Sequence, residues 1–175
     1  MNGDGIDDLL AGARDADGIG DTVNNSGEVH ILFGRDGLPS SRDLIKDTSD
    51  VVINGSDAGD SLGFTVASGD VNGDHIADIV AGAPVADSCG NARLDGGDAY
   101  VILGRDQWPS EISLKGAADL TFLGKKAGDE TGFSAATTDF NGDGTADTVL
   151  GALQADGPND SRPDAGELYI VFSKK

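Results

Sequence analysis
Cysteine is almost absent: Cys89 stands alone among 175 residues, so no internal disulfide can staple the chain. It falls in the variable stretch 85–95, where an inert thiol is the simplest reading. Histidine is nearly as scarce. His30 and His75 have no cysteine or second histidine at zinc-ligand spacing. The same scarcity leaves no Ser/His/Asp or Cys/His set for nucleophilic catalysis, and no glycine loop ends in Lys-Ser/Thr to cradle a phosphate. Basic residues number 12 against 31 acidic ones, a formal charge of −19, which argues against nucleic acid or an anionic membrane surface as partner. No apolar run approaches the roughly 18 residues of a membrane-spanning helix, so membrane insertion is not expected. Helical periodicity is not sustained anywhere; Leu44-Ile45 suggests at most a single turn. No basic segment followed by an apolar core opens the chain, and Met1 stands where an acidic loop is already under way, so a fragment of a longer protein is expected.

What is present is side-chain oxygen at alternate positions, in a nine-residue loop written three times. The complete copies are Asp70, Asn72, Asp74 and Asp78, then Asp139, Asn141, Asp143 and Asp147; the first copy keeps Asn2, Asp4 and Asp8. Carboxylates this crowded repel by about 3 kcal/mol per pair at roughly 5 Å and an effective dielectric of about 20. A cation would relieve that repulsion. All-oxygen ligands from a tight loop suit a hard cation, and carboxylates with one amide oxygen and a backbone carbonyl suit the larger coordination number of calcium better than magnesium, which keeps its waters. The bland alternative for the acidic excess outside the loops is a solubilising surface. Acid–base catalysis by Asp7-Asp8 or Asp156 is a poorer explanation of these carboxylates than ligation or solvation.

The loops recur at steps of 70 and 69 residues, and other landmarks keep the step. Gly63-Phe64 returns as Gly132-Phe133. Gly12-Ala13, Gly82-Ala83 and Gly151-Ala152 form a second series; Gly27, Gly97 and Gly166 form a third, before apolar runs; Pro39 matches Pro109. Such self-similarity means one supersecondary unit stacked on copies of itself. Each unit reads as four short strands, predicted in the complete copy at 64–68, 79–83, 100–103 and 120–123, with the acidic loop between the first two. The third strand of each unit, at 29–33, 100–103 and 168–172, is almost continuously apolar and is expected to be covered on both faces by neighbouring sheets. Small residues in the second strand (Ala11, Gly12, Ala81, Gly82, Gly151) fit blades converging on an axis, with bulges in another sheet protein as the alternative. The fold class is therefore all-β, a partial β-propeller of four-stranded antiparallel blades. It divides as 1–62 without its first strand, 63–123 complete, and 124–175 without its last. About two and a half blades do not close a ring, so the partners expected at the open ends are the remaining blades of the same polypeptide, or self-association if the chain is complete.

Gly63-Phe64, Asp70-Val-Asn72-Gly-Asp74, Asp78-Ile-Val and Gly82-Ala83-Pro84 together resemble the FG-GAP repeat of integrin alpha-subunit propellers and their bacterial relatives. The resemblance implies blades of a seven-bladed propeller. It also implies calcium (Ca2+) held on the face opposite the main ligand-binding surface, and adds the backbone carbonyls of Ile6, Ile76 and Thr145 to the ligands. Two departures stand out. His75 takes a loop position that is Gly5 and Gly144 in the other copies, where a left-handed backbone favours glycine. Arg14 and Leu153 follow the Gly-Ala pair of the second series where the middle copy has Pro84. An EF-hand would need a bidentate Glu at position twelve, where Ala81 and Leu150 stand, and flanking helices, which a dockerin would also need.

The functional expectation is a non-catalytic, calcium-binding repeat module of an extracellular or cell-surface protein, acting in adhesion or in protein or glycan binding. The alternative is the propeller portion of a phospholipase-like or polysaccharide-processing enzyme. Recognition would reside in the variable rim loops 13–26, 84–96 and 153–165. Sequons begin at Asn24, Asn54 and Asn159, and the recurring Arg35-Asp36 and Arg105-Asp106 read as structural turns.

Overall fold
Glycines at fixed intervals let neighbouring sheets approach to backbone contact, and that approach gives the chain its architecture. The computed structural model describes residues 1–38 and 49–173; Pro39 and Leu44-Ile45 lie outside the described residues. The first sheet contains β1 (Leu9–Ala13), β2 (Glu28–Leu32) and β3 (Val51–Asn54). The second contains β4 (Thr65–Gly69), β5 (Asp78–Ala83), β6 (Asp98–Ile102) and, beyond a short strand β7 (Glu111–Ser113), β8 (Leu120–Leu123). The third contains β9 (Thr131–Thr138), β10 (Asp147–Ala152) and β11 (Glu167–Val171). Successive strands within each sheet pair antiparallel. The chain is all-β, three successive blades of a partial propeller; among the described residues helix is confined to short turns at Ile19–Asp21, Ser88–Asn91 and Pro158–Asp160 in the rim loops.

A Cβ built on Gly12 would lie 2.0 Å from the carbonyl oxygen of Gly63, and one on Gly82 would lie 2.0 Å from that of Gly132. The Gly-Phe opening of one blade is therefore pressed onto the Gly-Ala of the blade before it. The two motifs share a period because they touch. Arg14, Phe64 and Phe133, one from each blade, stack across both seams: the Arg14 guanidinium carbon lies 5.2 Å from the Phe64 ring centre, which is 4.7 Å from that of Phe133.

Between the first two blades Ile31, Ile53, Leu62, Ile79 and Ile102 are fully buried; between the second and third, Val80, Ala99, Val101 and Leu150. Each of these side chains larger than alanine contributes about 1.5–3 kcal/mol. Burial corrects the expectation for the third strands. β6 is buried along nearly its whole length, but β2 alternates and β11 leaves Leu168 65% exposed, because those blades have a neighbour on one side only.

One strand was not foreseen. β7, from the connection between β6 and β8, leaves its own blade and pairs parallel with β3, adding a fourth strand to the first sheet. Buried Asn54 anchors it, its amide donating to Glu111 Oε1 (3.2 Å) and the Ile112 carbonyl (3.4 Å). The same connection holds the start of the chain: the Trp108 indole and the Arg105 N–H both donate to the Met1 carbonyl, at 2.9 and 3.0 Å.

Candidate metal loops
Each acidic loop must reverse the chain between the first and second strands of a blade, and it does so through left-handed backbone at fixed positions. Gly73 and His75 have φ of 80° and 72°, Gly142 and Gly144 79° and 90°, Gly3 and Gly5 74° and 82°. The turning chain offers its N–H groups to the side-chain oxygens. Asp70 Oδ1 accepts from the N–H of Gly73 (2.6 Å) and Asp74 (3.1 Å), and Oδ2 from that of His75 (2.9 Å). Asn72 Oδ1 accepts from the Asp74 N–H (2.9 Å) while its amide donates to Asp74 Oδ2 (2.9 Å), and Asp74 Oδ1 accepts from the Ile76 N–H (2.8 Å). Asp78 closes the loop by accepting from Val71, and ties it to the chain beyond β6 by accepting from Gly104, both at 2.8 Å.

The third loop repeats this pattern atom for atom. Asp139 accepts from Gly142, Asp143 and Gly144; Asn141 and Asp143 exchange the same pair of bonds; Asp143 accepts from Thr145; Asp147 accepts from Phe140 and Ser173. In the first loop Asn2, Asp4 and Ile6 make the equivalent bonds, and Asp8 accepts from Asn2 and Gly34. The loops also touch in a row: Ile76 packs against Gly3, and the Ala146 N–H donates to the Asp70 carbonyl at 2.8 Å.

Backbone dipoles thus supply part of the neutralisation that carboxylate crowding calls for. The Ile6 N–H and the Asn2 amide hold the exposed Asp4 carboxyl below its usual range. Burial pushes Asp78 up, against the N–H groups of Gly104 and Val71, and the charges of Asp74 and Asp70 push the same way. In kind, the donors fit a hard cation, since all are oxygens; but Asp70 already spends three of a carboxylate's roughly four lone-pair sites on N–H groups. They are not gathered: among the described residues no three His, Cys, Asp or Glu form a group that could hold a metal ion. Thr145 adds a fully buried hydroxyl with no hydrogen-bond partner where the other loops carry Ile6 and Ile76.

His75 is almost fully exposed, its Nδ1 3.6 Å from Asp70 Oδ2, and His30 bridges Glu28 and Ser49 at 3.0 Å each as a structural side chain. Sequence reasoning missed Asp50 and Asp119. They accept from the N–H of Phe33 and Leu103 and from Arg35 and Arg105, which accounts for the arginine of each recurring Arg-Asp pair. Asn54 is buried and spoken for, so its sequon is not displayed on the surface. Strand direction places the variable loops 13–26, 84–96 and 153–165 at the opposite end of the blades from the acidic loops.

A profile of the FG-GAP repeat family matches residues 62–102 and 131–171, the stretches that hold the second and third loops. The chain carries FG-GAP repeats. Integrin alpha-PS2 of Drosophila melanogaster is 28% identical over 146 residues, covering 80% of this chain and 9% of that protein. The phosphatidylinositol-glycan-specific phospholipase D of Dictyostelium discoideum is 29% identical over 189 residues, covering the whole chain and 19% of that protein; the human protein of the same name is 30% identical over 116 residues, 65% of this chain and 13% of its own length. The chain therefore spans less than a fifth of each of these relatives. No helix among the described residues is long and apolar enough to cross a membrane.

Proposed function
We propose that this FG-GAP segment is a calcium-stabilised scaffold of an extracellular or cell-surface protein, presenting its variable rim loops to a protein or glycan ligand in adhesion. The recurrence of one oxygen-lined loop geometry at 70–78 and 139–147 carries the reading. Asp70, Asn72, Asp74, Asp78 and the Ile76 carbonyl would hold one ion, and Asp139, Asn141, Asp143, Asp147 and the Thr145 carbonyl a second. Asn2, Asp4, Asp8 and the Ile6 carbonyl form the incomplete set. A bound cation supplies the charge that draws carboxylates together, so binding and loop order are coupled. Millimolar calcium outside cells suits a loop with this many carboxylates. Similarity to integrin alpha-PS2 supports the surface setting.

The test is thermal melting in calcium, in magnesium and in chelator. Calcium at about 100 times its dissociation constant adds about 2.7 kcal/mol per site, a rise of about 5–10 °C for a chain of this size. Asp74→Ala and Asp143→Ala each remove part of the rise. Identical melts in all three solutions would refute the metal reading.

A second reading is favoured by the similarity to phosphatidylinositol-glycan-specific phospholipase D: the segment is a non-catalytic propeller portion of a larger hydrolase. The chain itself is read as non-enzymatic. Assay of the longer polypeptide for phosphodiester hydrolysis separates the two.

A further inference from the structure
The two seams between blades are built at equivalent positions, but only one of them sets lysines against its acids. In the turn leading into the third blade, Lys125 and Lys126 face acids: Lys126 Nζ lies 2.8 Å from Asp160 Oδ2 and 3.7 Å from Asp156, and Lys125 Nζ lies 3.9 Å from Glu167. Buried beside them, Asp129 accepts from the Lys126 N–H at 3.1 Å. One step earlier in the repeat, Ser56 and Asp57 stand in the places of Lys125 and Lys126, and Asp60, Asp87 and Asp98 in those of Asp129, Asp156 and Glu167. The charged groups facing Asp60 are Asp57 of its own turn and Asp87 and Asp98 of the second blade, all acids. Buried Asp98 bonds to the Ser88 hydroxyl and to the Tyr100 hydroxyl, and Asp87 accepts from the Asp95 N–H. On the first-blade side the backbone carbonyls of Asn24, Asn25 and Ser26 accept from the N–H groups of Gly59, Ser61 and Leu62. Among the described residues no hydrogen bond or ion pair satisfies the Asp60 carboxylate.

We propose that the seam between the first and second blades is an acid-tightened joint: protonating its unneutralised carboxylates seats the turn 55–63, and ionising them loosens it, while the lysine-bearing seam, whose Asp129 has the N–H and ammonium of Lys126 beside it, responds less. Burial first, and then the charges of Asp57, Asp98 and Asp87, push the Asp60 carboxyl up to about 7. A carboxyl raised in the folded state binds its proton more tightly there than in the opened chain. Its contribution is therefore fully present below the ordinary carboxylate range and is lost as pH rises through about 7. The joint goes beyond the calcium reading, because Asp60 lies outside all three metal loops.

Amide hydrogen exchange on the whole chain between pH 5.5 and 8, divided by intrinsic rates and repeated in saturating calcium and in chelator, tests it. Protection at Gly59, Ser61 and Leu62 should fall several-fold as pH rises, bounded by about tenfold per pH unit for one proton. Protection at the equivalent Gly128, Glu130 and Thr131 should fall clearly less, because burial raises the Asp129 carboxyl too but Lys126 opposes the shift. Asp60→Asn should hold the first turn protected at all pH values, and Asp57→Lys, which copies the other seam, should flatten the dependence. Equal pH responses at both turns, or a wild-type slope in Asp60→Asn, would overturn the joint whatever the metal loops do.

Discussion

The second and third blades carry the same pattern of strand residues 69 positions apart, yet β5 is buried at every residue whereas β10 is broken by partly exposed ones, and β6 is covered where β11 is open. The difference lies in the neighbours and not in the strands. The second blade is gripped from both sides; the third is gripped only by the second. Leu168 and Phe172, 65% and 51% exposed, stand one repeat beyond buried Ala99 and the partly covered Leu103. A repeat fold thus expresses one sequence pattern at two levels of burial, and the same substitution should cost different amounts in the two blades.

The sharpest contrast is at the seam glycines. Gly82→Ala would push a Cβ into the Gly132 backbone carbonyl, which cannot rotate away, and should cost about 3 kcal/mol, lowering the melting temperature by roughly 6–12 °C. Gly151→Ala meets chiefly the Ser134 hydroxyl, the end of a side chain that can turn, and should cost less than about 1 kcal/mol. Equal losses at the two positions would mean that the blades do not approach as described.

Blade order, strand order and the position of the acidic loops were readable because they rest on local periodicity: glycine pairs, alternating oxygens and apolar runs all keep one step. The seam contact between Gly82 and Gly132 was half readable, since both motifs were visible in sequence but their meeting was not. β7 was unreadable, because Glu111-Ile112-Ser113 is too short to show a period and its partner β3 lies in another blade. The oxygen set of each loop was readable by alternation. What alternation did not reveal is that Asp70 and Asp139 each accept three backbone N–H groups, which steadies the turn without help from a cation.

The unforeseen strand gives the next contrast. Asn54→Ala leaves Glu111 and the Ile112 carbonyl without their buried donor and should cost about 1–2 kcal/mol, with faster amide exchange along β7 and at Leu114, whose N–H donates to the Asn54 carbonyl. Leu123 occupies the corresponding place at the edge of the second blade and is 49% exposed. Leu123→Ala should change stability by less than about 0.5 kcal/mol. If the two substitutions cost the same, β7 is not what distinguishes the first sheet from the second.

The smallest expected effect separates the middle loop from the third. His75 holds φ of 72° where Gly144 holds 90°, and a side chain in that region costs about 1–2 kcal/mol. Replacing it with glycine removes the strain but gives the unfolded chain about 0.5–1 kcal/mol of extra freedom, and it gives up the long 3.6 Å contact with Asp70, which is too exposed to contribute much. His75→Gly should therefore stabilise by only about 0.5 kcal/mol, while Gly144→Ala should destabilise by about 1 kcal/mol. Melting both variants in chelator isolates the backbone term. A loss of stability in His75→Gly would show that the histidine contributes more to the middle loop than its left-handed backbone costs.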